Sequence, residues 1–581
     1  MTNPEPADPR VAGGAPTARS LGLDQFLAEP RVAFFSMEIA LRSEMPTYAG
    51  GLGVLAGDTL RTAADLHLAL VGVTLVSRAG YFRQELDAEG RQIEHPAPWD
   101  PARWAVPLDA KAAVHIEGRA VWVGAWLHVI ESRLGGLAPV ILLDTDQPEN
   151  ASADRQITHV LYGDAEDYRL KQEMVLGLGG VRILHALGFR IGEYHMNEGH
   201  SALLGLELLR RHAYRPQDVR PGEPMYDLPR VRGRCRFTTH TPVEAGHDRF
   251  SYELVERMFA GKTPPVDLAL LRSLGGADAL NMTRLALNLS DFVNGVAKRH
   301  AEVSSHMFPG YEVRAITNGV HPYTWTAESL RALYDRYVPG WLLEPELLVR
   351  ADAIPAEALA AAHATAKGAL IARVRALTGI ALDATRPILG FARRMTAYKR
   401  PDLLFADMER LRRIAARAPF QVVLAGKAHP HDEEGKRLIE LLHQHARALA
   451  GIVPVAYLPE YDLSLAQLLV AGADVWLNTP LPPLEASGTS GMKAALNGVP
   501  SLSVPDGWWM EGCIEGVTGW SVADAAGLYD KLERTVLPLF QAGMGDPAGW
   551  IAVMRGAITK NGAYFNTQRM MRRYATEAYL R

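Results

Sequence analysis

The sequence predicts an α/β protein built from two doubly wound domains that face each other across a cleft. In both halves of the chain, short apolar runs typical of buried parallel strands alternate with helical segments. Polar or charged residues follow several of these runs directly, at the carboxyl end of the predicted strand. Open α/β sheets bind their ligands at that end, so two such sets of residues predict a shared ligand cleft.

Composition excludes several classes of protein. The chain has 581 residues, of which 48% are hydrophobic and 22% charged, as expected of a globular enzyme. A net charge of −4 gives no electrostatic reason to expect a nucleic acid or a membrane as partner. Cys235 and Cys513 are the only cysteines, so neither a disulfide framework nor a CxxC metal site is expected. No apolar run is long enough to span a membrane, and residues 1–20 resemble a disordered leader, so we expect a cytoplasmic protein.

The first half opens with a predicted strand over 31–37 and a Gly-Gly-Leu-Gly turn at 50–53, followed by a helix over about 58–68. Such a turn lets the backbone approach a ligand closely, although tight strand–helix packing would also explain it. Because the pattern is not G-x-G-x-x-G, it does not indicate a dinucleotide site. Further strands are expected at 70–78, 120–130 and 139–144. Residues 169–173 are expected to form an exposed helix face without chemistry.

Three positions in this half are candidates for ligand binding. His195, Glu198 and His200 invite a metal interpretation, but their spacing is not that of two ligands on one helical face. His240 ends a predicted strand over 234–241, where ligands bind in such sheets. Asn318 lies in an Asn-Gly pair, which is also a common turn signal.

In the second half, a helix is expected over 355–377 and a strand over 386–392. Four cations then fall within residues 393–400, before a helix that we expect Pro401 to open. Cations at a strand end that faces a helix N-terminus suit an anion site, although a solvated basic loop would have the same composition. Further strands are expected at 420–427, 452–458 and 473–479.

The strand over 473–479 leads into a small-residue loop and a short helix, Glu485-Ala-Ser-Gly-Thr-Ser-Gly-Met-Lys493. Free amides and hydroxyls at a helix N-terminus form a natural seat for a phosphate. Lys493, just inside the helix, could be a charge on a nucleotide phosphate or form a Schiff base with pyridoxal 5'-phosphate (PLP). A solvated lysine after a flexible turn would fit the same composition.

Resemblance to a known family favours one of these three interpretations of Lys493. The segment from Glu485 to Lys493, followed by Leu-Asn-Gly, resembles the PLP-lysine segment of the α-glucan phosphorylases. Other motifs similar to that family follow in the same order between about residues 31 and 515: Gly-Gly-Leu-Gly, Arg-Leu-Lys-Gln-Glu, Thr-x-His-Thr, Thr-Asn-Gly and Arg-x-x-x-x-Tyr-Lys-Arg. The resemblance implies two Rossmann-like domains of GT-B type. A glucan-binding domain would span 21–320 and a PLP-binding domain 321–581, with a last helix from about 546 packing back on the first.

The reaction implied is retaining phosphorolysis of the terminal α-1,4-linked glucose of glycogen or maltodextrin, giving glucose 1-phosphate without a metal. The partners implied are an α-glucan and inorganic phosphate, and a homodimer is common in the family. The roles implied by the resemblance are as follows: Lys493 holds PLP; Arg393, Gly488, Thr489, Ser490 and Tyr461 contact it; Arg394, Lys399, Gly50, Gly51 and Leu52 hold inorganic phosphate; and His240, Asn318, Ser487 and Glu485 position the glucose.

Three departures from the family pattern accompany these matches. Ala40 stands where the family often has tyrosine, Arg393 where better-known members have lysine, and Asp462 where longer members have arginine. The family's N-terminal regulatory segment is not recognised, so control by phosphorylation or AMP is not expected by that route. Two alternatives stay open: a sugar-nucleotide glucosyltransferase of the glycogen-synthase type, which needs no lysine at 493, and a glucan-binding protein without catalysis.

Overall fold

The fold was examined in a computed structural model that describes residues 22–163, 165–220, 223–243, 246–261, 266–543 and 548–580. The expected leader, residues 1–20, lies outside this range. Two large sheets dominate the described residues, and helices cover their faces. The structure is the α/β arrangement of two Rossmann-like domains that the sequence predicted.

Nine of the described strands form the first sheet, in the order β13-β12-β9-β8-β1-β2-β7-β6-β5. It is parallel except at one edge, where β5 and β6 run antiparallel to their neighbours. The strands of this half, including those of two small antiparallel sheets (β3–β4 and β10–β11), are β1 Arg31–Ser36, β2 Leu70–Leu75, β3 Arg83–Leu86, β4 Gln92–His95, β5 Val106–Ile116, β6 Arg119–Glu131, β7 Leu137–Asp144, β8 Ile191–Asn197, β9 Cys235–Thr238, β10 Arg249–Ser251, β11 Ala279–Asn281, β12 Phe292–Gly295 and β13 Arg314–Ala315.

The second sheet has six described strands in the order β16-β15-β14-β17-β18-β19, and every pair is parallel. Its strands are buried on both faces, which explains their near-continuous apolar sequence. They are β14 Ile388–Ala392, β15 Gln421–Ala425, β16 Val455–Leu458, β17 Val475–Asn478, β18 Ser501–Ser503 and β19 Gly519–Ser521.

The α-helices connect the strands and cover both sheets. Those up to residue 337 are α1 Gly51–Asp65, α2 Ser152–Arg155, α3 Glu166–Met174, α4 Gly180–Ala186, α5 Leu204–Arg211, α6 Leu228–Gly233, α7 Tyr252–Met258, α8 Leu268–Gly275, α9 Met282–Asn288, α10 Lys298–Met307, α11 Pro322–Trp325 and α12 Glu328–Tyr337. Those that follow are α13 Ala356–Thr378, α14 Met408–Arg417, α15 Glu433–Ala448, α16 Leu463–Gly472, α17 Thr489–Ala495, α18 Trp509–Gly512, α19 Ala525–Lys531, α20 Leu537–Ala542, α21 Ala548–Gly556 and α22 Thr567–Tyr574.

Helix α1 begins at Gly51, seven residues before the predicted start at residue 58, which was therefore wrong. Of the three glycines that argued for a turn, Gly50 is the extended N-cap of α1, whereas Gly51 and Gly53 are helical. A Cβ on Gly57 would lie 2.1 Å from the carbonyl oxygen of Ala40, and one on Gly53 would lie 2.7 Å from the Glu38 carboxylate. Close packing against the loop after β1 thus requires glycine at positions 53 and 57 of the helix.

Pro401 does not open a helix, contrary to prediction. A turn of 3₁₀-helix at Leu403–Phe405 follows it, and α14 starts only at Met408. Asp407 explains that start, because its side chain accepts a hydrogen bond from the amide of Arg410 as an N-cap.

The C-terminal helix α22 packs against α1 of the first half. The hydroxyls of Thr62 and Thr567 lie 2.5 Å apart, and Met570 and Met571 are buried with the apolar face of α1. The β3–β4 hairpin of the first half in turn contacts the second half. The side chain of Gln92 forms hydrogen bonds of 2.9 and 3.0 Å with the backbone carbonyl and amide of Ala428. Both contacts fix the orientation of the two sheets.

Candidate active site

Lys493 lies in α17 at the interface of the two halves. Its side chain is buried, and the ammonium nitrogen lies 3.9 Å from the ring centre of Trp325. Within the described residues this nitrogen has no hydrogen-bond acceptor and no ion pair. Burial lowers the pKa of Lys493 to about 8, although the charge of Asp58 acts in the opposite direction. A substantial fraction of this amine is therefore neutral near physiological pH, as a lysine that attacks a carbonyl must be.

The start of α17 is rich in free donors. Gly488 takes a left-handed conformation with φ of 84°, which turns the chain from β17 into the helix. In the part of the chain that the structure describes, the amides of Thr489 and Ser490 have no acceptor, and the buried hydroxyl of Ser487 has no partner. The buried Nε of Arg393 is also unpaired. A buried lysine on a helix whose first amides are unpaired suits a ligand that carries both a phosphate and an aldehyde, and PLP is such a ligand.

Glu485 joins two of the predicted cations in one buried cluster. Its carboxylate accepts hydrogen bonds from Arg393 at 2.6 Å and from Lys399 at 2.9 Å. Burial alone would raise the pKa of Glu485, but the charges of Arg393 and Lys399 lower it to about 2. Arg393 also donates to the side chain of Asn478 at the end of β17. Residues that the sequence assigned to glucose, cofactor and phosphate thus meet at one point.

Lys399 is held in this cluster by a single turn of 3₁₀-helix, Ala397–Lys399. Burial, followed by the nearby charge of Arg393, lowers the pKa of Lys399 to about 8. The negative charge of Glu485 raises the pKa of Lys399 and so offsets part of this decrease. Lys399 is therefore a cation whose charge is sensitive to pH just above neutrality.

Arg394 reaches across the cleft to the glycine turn of the first half. Its Nη2 atom lies 3.2 Å from the position of a Cβ on Gly50, and its side chain is exposed. It forms neither a hydrogen bond nor an ion pair with any residue that the structure describes. Facing it, the amides of Gly51 and Leu52 open α1 without acceptors among those residues. A free guanidinium opposite two free amides can bind an oxyanion.

The amide of Gly50, in contrast, is already used. It donates to the carboxylate of Glu38 at 3.0 Å, as the amide of Ala49 does at 2.5 Å. Of the three residues expected to bind phosphate, only Gly51 and Leu52 therefore have amides that are free to do so.

His240 follows β9, at the carboxyl end of the first sheet. Its Nε2 lies 2.7 Å from the Oδ1 of Asn197, so this nitrogen carries the proton and Nδ1 is left as an acceptor. Burial, with a smaller effect of His300, lowers the pKa of His240 to about 3. The imidazole is therefore neutral at physiological pH. Glu198 holds the segment by accepting the His240 amide at 2.8 Å and the Thr241 hydroxyl at 3.0 Å.

Asn318 and Tyr461 are two other predicted site residues that are wholly or partly buried. Asn318 follows β13 and is buried, and its Oδ1 has no partner among the described residues. Tyr461 lies within the electrostatic reach of Arg393, and burial raises its pKa. The next residue, Asp462, caps α16 by accepting a hydrogen bond from the Leu465 amide at 2.8 Å.

Several contributors escaped sequence reasoning. Glu38 and Trp325 bind or cover predicted site residues, yet neither belongs to a recognisable local motif. Asn197 ends β8 next to the strand that leads to His240, and its segment, 193–200, resembles the family's Asn-Asp-x-His motif near the sugar site, with Glu198 in place of Asp. His195 is used structurally, since its ring nitrogens contact Tyr579 and Thr238 at 2.6 and 2.8 Å. The described residues contain no group of three potential metal ligands and no helix able to cross a membrane.

Fold and site together define a glycosyltransferase of the GT-B class, with anion-binding donors in both domains. Comparison with known proteins agrees. A family model described as "Carbohydrate phosphorylase" matches residues 243–515. The maltodextrin phosphorylase of Thermococcus litoralis is 37% identical over 95% of this chain and 70% of its own length. The glycogen phosphorylases of Aquifex aeolicus and Mycobacterium tuberculosis H37Rv are 35% and 36% identical, each over 94% of this chain and over 86% and 70% of their own lengths.

The chain belongs to the carbohydrate phosphorylase family.

Proposed function

We propose that this protein is a PLP-dependent α-1,4-glucan phosphorylase, which transfers the terminal glucose of glycogen or maltodextrin to inorganic phosphate with retention of configuration. The observation that carries the proposal is the buried, unpaired amine of Lys493 beside the donor-rich start of α17. A nucleotide-sugar transferase has no use for such an amine. The related glycogen and maltodextrin phosphorylases support the same substrates here.

Two anions would be held side by side. Lys493 would hold PLP, and the amides of Thr489 and Ser490 with Arg393 would hold its phosphate. When bound, PLP would supply a phosphate group that exchanges a proton with the substrate phosphate. Adjacent phosphates repel each other, so a cluster of cations is required on electrostatic grounds. The substitution of arginine for lysine at 393 keeps that charge and adds the contact with Asn478.

Substrate phosphate would bind between Arg394, Lys399 and the amides of Gly51 and Leu52. Lys399 must then leave part of its contact with Glu485, whose carboxylate becomes available to a glucose hydroxyl. The held phosphate would give a proton to the glycosidic oxygen as the bond to the anomeric carbon breaks. One of its oxygens would then bond to that carbon on the same face, giving α-glucose 1-phosphate.

The glucose itself would be oriented by neutral acceptors. The Nδ1 of His240 and the Oδ1 of Asn318 have no partners among the described residues and can accept sugar hydroxyls. The Ser487 hydroxyl can donate or accept. Buried polar atoms that pair only with the substrate discriminate strongly against ligands that lack the matching hydroxyl.

The direct test is phosphate-dependent release of glucose 1-phosphate from maltodextrin by the PLP-loaded protein. We expect product only when glucan, phosphate and PLP are all present. Glucose transfer from a nucleotide sugar without PLP would instead support the glycogen-synthase type of enzyme. Glucan binding without either reaction would support a protein that has lost catalysis.

The pH dependence should report Lys399. Its charged form is needed to bind phosphate and is lost as pH rises through a pKa of about 8. We therefore expect kcat/KM for phosphate to fall about tenfold per pH unit well above that value. Glu485, with a pKa of about 2, stays ionised throughout.

The matched control is Lys399→Arg, which stays charged. The titration of phosphate itself is common to both proteins, so only the contribution of Lys399 differs between their profiles. The alkaline fall should move to higher pH in the variant. The same alkaline fall in both proteins would show that Lys399 is not the group responsible.

A further inference from the structure

Glu38 binds the turn that presents the phosphate-binding amides. It lies two residues after β1 and is 2% exposed. Its Oε2 accepts the amides of Ala49 and Gly50, the two residues directly before α1. With those two amides directed at Glu38, the next two, of Gly51 and Leu52, are left free at the first turn of the helix facing Arg394.

The helix is shaped to admit this carboxylate. A side chain at position 53 would place its Cβ 2.7 Å from Glu38 Oε2 and 2.8 Å from the Cβ of Tyr48. Only glycine leaves room for the carboxylate beneath the first turn. The close approach of Glu38 therefore explains Gly53, the third glycine of the Gly-Gly-Leu-Gly motif, to which no phosphate contact is assigned.

Tyr162 fixes the other oxygen of the same carboxylate. Its hydroxyl donates to Glu38 Oε1 at 2.9 Å. Its backbone takes φ of 58°, a left-handed conformation that costs a residue other than glycine free energy. The guanidinium carbon of Arg169 lies 4.4 Å from the Tyr162 ring centre and so holds the ring from its face.

Arg169 is itself held by two carboxyl groups. The prediction that residues 169–173 form an exposed helix face was therefore wrong. Arg169 donates to Glu173 at 3.2 Å and to Asp248 at 3.1 Å, and Glu173 is fully buried. Burial, with the added charge of Asp248, raises the pKa of Glu173 well above its usual range despite Arg169. The contacts with Glu173 and Asp248 hold the Arg169 guanidinium in place over the Tyr162 ring.

We propose that Glu38 is a positioning residue for phosphate, held by Tyr162 and Arg169. The inference rests on the proposed function for the identity of the anion. A buried carboxylate near a phosphate repels it, so electrostatics alone would make Glu38 harmful to phosphate binding. Its placement is explained if the gain from orienting the amides of Gly51 and Leu52 exceeds that repulsion.

The two effects have opposite signs, and Glu38→Gln separates them. Glutamine removes the charge and weakens the hydrogen bonds to the turn. If positioning dominates, KM for phosphate rises about tenfold in E38Q, the value of one charge-assisted hydrogen bond. If repulsion dominates, KM for phosphate falls, which overturns the proposal, as would an unchanged KM. KM for glucose 1-phosphate in the synthetic direction should rise with it, while KM for maltodextrin should change less than about twofold.

Tyr162→Phe provides an independent variant if E38Q folds poorly. We expect KM for phosphate to rise about threefold to tenfold, because Glu38 loses one donor. Tyr252→Phe is the matched control: it removes a buried hydroxyl that donates to the Gly276 carbonyl in the same half. It should leave KM for phosphate at the wild-type value. An equal rise in the control, or none in Y162F, would contradict the role of Tyr162 and the proposal.

Binding of inorganic phosphate by calorimetry distinguishes the failure of this inference from that of the proposed function. If the wild-type protein binds phosphate but releases no glucose 1-phosphate, the proposed function fails. The ratio of phosphate Kd between E38Q and wild type then still decides the role of Glu38, with a rise of about tenfold expected. A wild-type protein that binds no phosphate overturns both.

Discussion

Replacing Lys493 by alanine is expected to lower the rate of phosphorolysis by about 10⁴-fold or more, the upper range for loss of a group that moves a proton in the transition state. Without the amine, PLP would have no covalent attachment, and its phosphate would no longer be fixed beside the substrate phosphate. The measurement combines the rate of glucose 1-phosphate release with PLP absorbance and intact mass after borohydride reduction. Wild-type protein should gain the mass of one reduced PLP on the peptide that contains Lys493.

This loss should occur without loss of stability. The ammonium group of Lys493 is buried and has no acceptor among the described residues, so its removal leaves no partner unpaired. We expect Lys493→Met, which fills the same space, to unfold at the wild-type temperature or above it. Lys493→Arg keeps the charge but cannot bind PLP covalently, and should be as inactive as alanine. An active K493R protein would contradict the assignment of Lys493.

Replacing Arg394 by alanine should lower kcat/KM for phosphate by about 10²- to 10³-fold, the effect of removing one preorganised donor from an anion in the transition state. The guanidinium is the cation that faces the free amides of Gly51 and Leu52. KM for maltodextrin should change much less, because the residue is not expected to contact the glucan. Initial rates with phosphate and maltodextrin varied independently provide the measurement.

Two controls accompany this variant. Arg394→Lys should recover part of the loss, because it restores the charge but not two parallel donors. Arg373→Ala removes an exposed arginine from α13, a helix to which no site residue is assigned, and should leave phosphate kinetics unchanged. Since Arg394 has no partner among the described residues, its removal should also leave thermal stability unchanged. A wild-type KM for phosphate in R394A would exclude the residue from the phosphate site.

Much of the fold could be predicted because local patterns and tertiary packing agree. The fully apolar run over 388–392 is a central strand, and the Ala-rich segment became α13 within one residue of prediction at each end. Predictions failed where a distant contact decided the outcome. The start of α1 depends on the Ala40 loop, against which Gly57 packs, and no local pattern encodes that contact.

For the candidate site too, local motifs suggested the residues, whereas tertiary contacts set their properties. The roles proposed for Lys493, His240 and Arg394 came from the resemblance of their local motifs to the α-glucan phosphorylases, and they stay predictions. The protonation states of these side chains could not be predicted from the sequence. The lowered pKa values of Lys493 and His240 arise mainly from burial, which depends on elements far apart in the chain.

By itself, the sequence determined two α/β halves, the strand ends that carry the candidate ligand residues, and the resemblance to the α-glucan phosphorylases. Only the tertiary structure decided that Glu485 joins Arg393 to Lys399 and that the Gly50 amide donates to the Glu38 carboxylate. It also decided that, among the described residues, Arg394 has no hydrogen bond or ion pair and faces the start of α1. The physical reason is that hydrogen bonds and ion pairs act over a few ångströms in space. Sequence motifs record which groups are present, but folding determines which of them meet.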